Sequence, residues 1–140
     1  MAEKYYIDPS IWMDYYEDRL SGNKKIGEYA FKLLCKLLAL EVKIVVSNYI
    51  LKELERFYSY EQIRGFTSPF ERVMEQVSIT QEQIKESKIL ALERNIPKGD
   101  ALHAIIARDN NAIVISRDHH FEKIPDVCKC VKPEEITDSF

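Results

Sequence analysis

Four acidic residues, Asp8, Glu53, Asp100 and Asp118, occupy positions from which carboxylates could do chemistry as well as keep the chain in water. Asp8 follows the short apolar stretch Tyr5-Tyr6-Ile7, and Asp118 follows Ile113-Val114-Ile115-Ser116-Arg117. Acids just past the carboxyl ends of parallel strands lie where open α/β sheets bind ligands. Glu53 falls on a helical segment beside Ile50, Leu54 and Phe57, about 60° from Ile50 at 100° per residue, whereas Glu55 points away from that apolar arc. A carboxylate next to a core face is costly unless it is paired or bound to a cation. Asp100 opens a segment, Ala101 to Ala107, made almost entirely of Ala, Leu and Ile. Each acid also has a plainer reading. Asp8 and Asp118 could be turn formers or caps, Glu53 a flanking residue whose head reaches water, and Asp100 a charge matched to a helix dipole.

The elements that must position these acids can be read along the chain. Pro9 holds Asp8 extended and stops the first strand. A helix is expected over Ile11 to Leu20, then a Ser21-Gly22-Asn23 turn, then a second helix from Lys24 to Leu40, where Ile26, Ala30, Leu33 and Leu37 recur at helical spacing. Val42 to Val46 is a β-branched run bounded by polar residues, the pattern of a buried strand. Ser47 suits the N-cap of a helix running from Asn48 to Tyr58. Residues 59 to 76 read as two short helical pieces separated near Gly65 and Pro69. Thr80 and Gln83 have capping-box spacing at the head of a further helix, which ends at Asn95-Ile96-Pro97. The helix after Asp100 is apolar almost all round and is expected to be buried. Ala112 to Ile115 and Val127 to Val131 supply two more strands. Strands separated by helices predict an α/β fold: one domain over residues 1–140, with a central parallel sheet flanked by helices on both faces.

Composition agrees. A chain of 140 residues with 46% hydrophobic and 31% charged residues can bury one complete core. No apolar run approaches the roughly 18–20 residues needed to span a bilayer. The charged start Met1-Ala2-Glu3-Lys4 carries no signal-peptide pattern, which predicts a cytoplasmic protein. A formal charge of −3 and a pI near 5.7 exclude a coat of generic positive charge for nucleic acid. They do not exclude a polyanionic substrate, because a site of carboxylates brings its own cations. Cys35, Cys128 and Cys130 are too few and too irregularly spaced for a disulfide framework or a zinc site of thiolates, and read as structural free thiols.

Four short patterns together resemble the PIN-domain family, and in particular its small members, which include the toxins of VapBC toxin–antitoxin pairs. They are a strand running into Asp8-Pro9-Ser10, and a strand ending in Ser47 with Glu53 on the following helix. Asp100 then opens the helix Ala101-Leu102-His103-Ala104-Ile105-Ile106-Ala107, and a last strand runs into Ser116-Arg117-Asp118-His119-His120-Phe121. Each is weak alone; their order and separation are specific, and the match extends from about Tyr5 to Val131. Ser116 stands where the family more often has threonine, and residues 58 to 76 match no pattern of the family.

The resemblance implies a Mg²⁺- or Mn²⁺-dependent endoribonuclease using Asp8, Glu53, Asp100 and Asp118. It also implies an RNA substrate, an antitoxin partner and a homodimer. The residues fit that chemistry on their own terms: hard cations take oxygen ligands, and acids without cysteine select Mg²⁺ or Mn²⁺ over zinc. Asp8 and Asp118 are expected as direct ligands, Glu53 and Asp100 as completing the cluster directly or through water, and the hydroxyls of Ser10 and Ser116 as donors that orient the acids. His119 and His120 read as solvent-facing, His103 as a satisfied polar residue at the cleft edge, and Arg117, Lys98 and Arg108 as surface charge that could meet phosphates. Phe57, Tyr58, Tyr60, Phe66 and Phe70 are either core or a partner surface. The competing reading is a PIN-like module that binds RNA or protein without cutting. Degenerate members of that kind should have lost carboxylates, and this chain keeps all four. A phosphatase-like hydrolase is a remote third, since Asp8-Pro9-Ser10 lacks the second Asp of such loops.

Overall fold

A computed structural model describes residues 4–138. Among these described residues five strands, β1 (Lys4–Ile7), β2 (Lys43–Ser47), β3 (Met74–Val77), β4 (Ile113–Ile115) and β5 (Cys130–Val131), form one sheet in the order β3-β2-β1-β4-β5. Every neighbouring pair is parallel. Seven α-helices of the described residues accompany them: α1 (Pro9–Glu17), α2 (Ile26–Ala39), α3 (Asn48–Leu54), α4 (Tyr60–Thr67), α5 (Gln81–Arg94), α6 (Lys98–Asp109) and α7 (Pro133–Thr137). The described residues also form two 3₁₀ turns, Ser68–Val73 and His119–Lys123.

The order dictates where the helices go. From β1 the chain moves outward to β2 and then β3, so right-handed crossovers place α1 to α4 on one face. It then returns past β1 to β4, and the same handedness carries α5 and α6 to the other face. Contacts agree: α1 packs on α2, α2 on α7, and α5 on α6. Strand order reverses between β1 and β4, and their carboxyl ends open the crevice in which Asp8 and Ser116-Arg117-Asp118 lie.

Tyr5, Tyr6 and Ile7 of β1 and Ile44, Val45 and Val46 of β2 are buried on both sides of the sheet, as central parallel strands require. They join Leu33, Leu34, Leu37, Ile50 and Leu54 on one face and Ala101, Ala104 and Ile105 on the other in one core. Burying all of α6 from Ala101 to Ala107 makes it a rigid support for whatever it carries at its start.

Several boundaries differ from the sequence expectation. α1 stops at Glu17, not Leu20, because Asp18 turns left-handed at φ 49°. α3 stops at Leu54, so Phe57 falls outside the helix and is 66% exposed instead of joining the apolar arc. Of the aromatics left open between core and surface, Phe66 and Phe70 pack into the core against Trp12, while Tyr60 is exposed. Residues 74–76, expected within a helical piece, form the edge strand β3 together with Val77. The fifth strand is confined to Cys130–Val131 because Pro125 to Val127 turn.

Candidate active site

Asp8 leaves β1 at the sheet's centre, its N–H donating to the Ile115 carbonyl of β4 at 3.0 Å. Its side chain is 9% exposed as a residue and accepts two hydroxyls on the same oxygen: Ser10 Oγ at 2.6 Å and Ser116 Oγ at 3.0 Å, both to Oδ2. Among the described residues no side chain donates to Oδ1. Ser116 also accepts the Asp118 N–H at 3.0 Å, so one hydroxyl ties the two strand-end acids together. Burial raises the Asp8 carboxyl above the ordinary range; His103 and the two hydroxyls pull down, and Glu53 pushes further up.

Glu53 is held from below. His103 Nε2 lies 2.7 Å from Glu53 Oε1, His103 Nδ1 lies 2.6 Å from the Tyr6 hydroxyl, and that hydroxyl lies 2.9 Å from Ser47 Oγ. Ser47 in turn accepts the Ile50 N–H at 3.1 Å and so caps the helix that carries Glu53. With a neutral imidazole every donor in this chain points the same way: Ile50 N–H to Ser47, Ser47 to Tyr6, Tyr6 to His103, and His103 Nε2–H to the carboxylate. Burial raises the Glu53 carboxyl, but the hydrogen bond and pull of His103, with the Tyr49 hydroxyl and Arg56, outweigh it and leave it below the ordinary value. His103 is therefore not a cleft-edge residue: it is 1% exposed, and its place in an all-apolar helix was the signal that it needed buried partners.

Asp100 sits in the first turn of α6, where the helix dipole favours an anion. The glycine before it lets α6 approach α3: a Cβ at Gly99 would lie 3.2 Å from the Tyr49 hydroxyl oxygen and 3.9 Å from Glu53 Oε1. Asp100 Oδ2 is 2.9 Å from His120 Nδ1, and the same nitrogen is 2.8 Å from Asp118 Oδ1. Asp118 also caps the 3₁₀ turn, accepting the His120 N–H at 2.9 Å. Burial, then the charges of Asp118 and Asp8, push the Asp100 carboxyl up to about 6. Asp118 goes the other way: burial raises it, but the backbone N–H and ring of His120 leave it lowered. His120 is thus engaged with both acids and is not free in solvent, whereas the His119 side chain is 76% exposed.

All four acids line the crevice at the β1 and β4 ends and feel one another: Glu53 raises Asp8, and Asp8 and Asp118 raise Asp100. The basic residues divide. Arg117 is paired with Glu134 at 2.7 Å and Arg108 with Glu86 at 2.5 Å, while Lys98 is exposed. An open groove of about 860 Å³ reaches Asp118 and is lined by Lys129 and Lys132 as well as Glu122 and Glu135.

The PIN domain profile matches residues 5–127, nearly the whole chain. The chain belongs to the PIN-domain family. No curated protein matches it in sequence. Among solved structures, VapBC2 from Rickettsia felis bound to a DNA fragment from their promoter is 19% identical with a TM-score of 0.67, over 92% of this chain and 98% of that one. A toxin–antitoxin complex from Klebsiella pneumoniae is 20% identical with a TM-score of 0.65, over 92% and 97%. PAE2754 from Pyrobaculum aerophilum is 12% identical with a TM-score of 0.60, over 96% and 93%. At these identities the likeness is one of fold.

Proposed function

We propose that this PIN domain is a Mg²⁺- or Mn²⁺-dependent endoribonuclease whose cation is held by Asp8, Glu53, Asp100 and Asp118. The observation that carries this reading is the buried Asp8 carboxylate, raised by burial, with both of its donors on Oδ2 and further acids beside it. Such an arrangement is costly without a cation and is an all-oxygen donor set suited to a hard one. When bound, a divalent cation supplies Lewis acidity, offsetting negative charge on the phosphate oxygens and easing deprotonation of the attacking water.

The chain's own residues do the positioning. Ser10 and Ser116 fix the rotation of Asp8 and leave Oδ1 available. The Ser47–Tyr6–His103 chain fixes Glu53, and the proton on His103 Nε2 keeps that carboxylate ionised. In the cation-free protein, Asp100 takes up a proton beside Asp118 only as the pH falls through about 6. Lys129 and Lys132 in the groove beside Asp118, and exposed Lys98, suit the phosphates of a single strand.

Structural neighbours of this chain include toxin–antitoxin complexes, which supports a toxin role and an antitoxin partner; the homodimer that the family resemblance implies belongs to the same proposal. We further propose that residues 1–140 act as one domain in the cytoplasm; among the described residues, no helix is long and apolar enough to cross a membrane. Incubation of the purified protein with single-stranded RNA tests the activity. Cleavage is expected with Mg²⁺ or Mn²⁺, none in EDTA, and loss of about 100-fold or more in Asp8→Asn and Asp118→Asn. Undiminished cleavage by either folded variant would remove that residue from the mechanism, and undiminished cleavage in EDTA would remove the cation. Binding of RNA without cleavage under all of these conditions would favour the non-cutting module.

A further inference from the structure

The acids supply oxygen donors, yet the outer edge of the crevice also carries nitrogen. The ligating atoms of Asp118, His119 and His120 all lie within 4.8 Å of one another, and among the described residues this is the one such group of three. His120 Nδ1 stands 2.8 Å from Asp118 Oδ1 and 2.9 Å from Asp100 Oδ2, in the position between two carboxylates that a cation would take. The 3₁₀ turn holds it there, because the His120 backbone N–H is bonded to the same Asp118 oxygen at 2.9 Å. The His119 ring lies beside it, with centroids 4.4 Å apart.

We propose that Asp118, His119 and His120 form a site for an imidazole-preferring divalent cation such as Zn²⁺, overlapping the Mg²⁺/Mn²⁺ position and excluding its occupant. Mg²⁺ favours oxygen and keeps its waters, so to Mg²⁺ the His120 ring is an internal competitor for Asp100 and Asp118. Zn²⁺ takes imidazole nitrogen together with carboxylate oxygen and binds N/O sites more tightly than Mn²⁺, so to Zn²⁺ the same ring is a ligand. Coordination replaces the proton on Nδ1, which passes to solvent. The exclusion rests on the carboxylate reading given above; the zinc site itself rests on the imidazoles.

The two cations should respond to one substitution with opposite sign. Zn²⁺ and Mg²⁺ binding to the metal-free full chain can be followed by titration calorimetry, and Co²⁺ can serve as a visible-absorbing stand-in for Zn²⁺. His120→Ala is expected to weaken Zn²⁺ by about 10-fold or more and to strengthen Mg²⁺ by a few-fold. His119→Ala should weaken Zn²⁺ and leave Mg²⁺ unchanged. Asp8→Asn should weaken Mg²⁺ and retain Zn²⁺, so failure of the carboxylate reading leaves zinc binding intact and is distinguishable. If His120→Ala does not fold, His120→Gln and His119→Ala carry the comparison. Zn²⁺ affinity unchanged in the folded histidine variants, or Zn²⁺ and Mg²⁺ shifted alike by His120→Ala, would overturn the proposal.

Discussion

Asp8 and Glu53 belong to the inner wall of the crevice, Asp100 and Asp118 to its outer edge, and the two walls are built on different physics. The inner acids are locked by donors that are themselves buried: Ser116, His103, Tyr6 and Ser47 are all nearly inaccessible. The outer acids face each other across a single imidazole, and their carboxyls are driven apart, one up to about 6 and the other below its usual value. Fully satisfied polar networks rigidify a site, whereas like charges in close quarters store repulsion until a cation arrives. The inner network should therefore contribute stability beyond what the burial of Asp8 costs, and Asp100 on the outer edge should cost it.

The largest effect should come from the inner wall. His103→Ala strands the buried Tyr6 hydroxyl, frees Glu53 and leaves a cavity, and is expected to cost about 3 kcal/mol in chemical denaturation. A loss below about 1 kcal/mol would mean that the relay is not a structural device. Asp100→Asn on the outer edge should do the opposite in EDTA. The folded carboxyl at about 6 lies above its unfolded value, so the native state binds more protons. Its cost is fully present above pH 7, fades as pH falls through 6, and is gone near pH 4. Removing the charge should therefore raise metal-free stability by about 2 kcal/mol at pH 7.5, roughly 5 °C in Tm, with little gain near pH 4. Glu53 and Asp118, with lowered carboxyls, contribute stability that is lost only on stronger acidification through their folded values. If Asp100→Asn destabilises at pH 7.5, Asp100 is a helix-start residue and the contrast between the walls collapses.

Ser116→Ala touches both walls and should have the smallest effect on stability, about 1 kcal/mol, because one hydroxyl serves Asp8 and the Asp118 backbone. Its cation affinity should nonetheless fall by about 10-fold, since the donor orients a ligand. Equal affinity in the variant and the parent would assign Ser116 to the fold alone.

The same contrast explains what could be read from the sequence. β1, β2 and β4 announce themselves as short β-branched or aromatic runs because they are buried on both faces, and the acids at their ends follow from that placement. β3, Met-Glu-Gln-Val, lies at the sheet's edge with no fully buried residue and no apolar pattern, so nothing local distinguishes it from the helical pieces around it. α7 is five residues long and depends on packing against α2 rather than on its own periodicity. Glu53 could be placed from its helix face, and His103 could have been, since a buried helix cannot carry an unpartnered imidazole. His120 was out of reach: its contact with Asp100 joins a turn to a helix twenty residues away, a proximity that no periodicity encodes.

Where manganese sits decides whether Asp8, Glu53, Asp100 and Asp118 form a metal centre. Crystals of the full chain soaked in Mn²⁺, at a concentration that supports RNA cleavage, can be measured at the manganese absorption edge. The expected result is anomalous density in the crevice at the β1 and β4 ends, bonded to Asp8 and Asp118 with Glu53 and Asp100 adjacent, and lost in Asp8→Asn. Manganese bound only elsewhere, in crystals of a preparation that cleaves RNA, would mean that these four acids do not hold the catalytic cation.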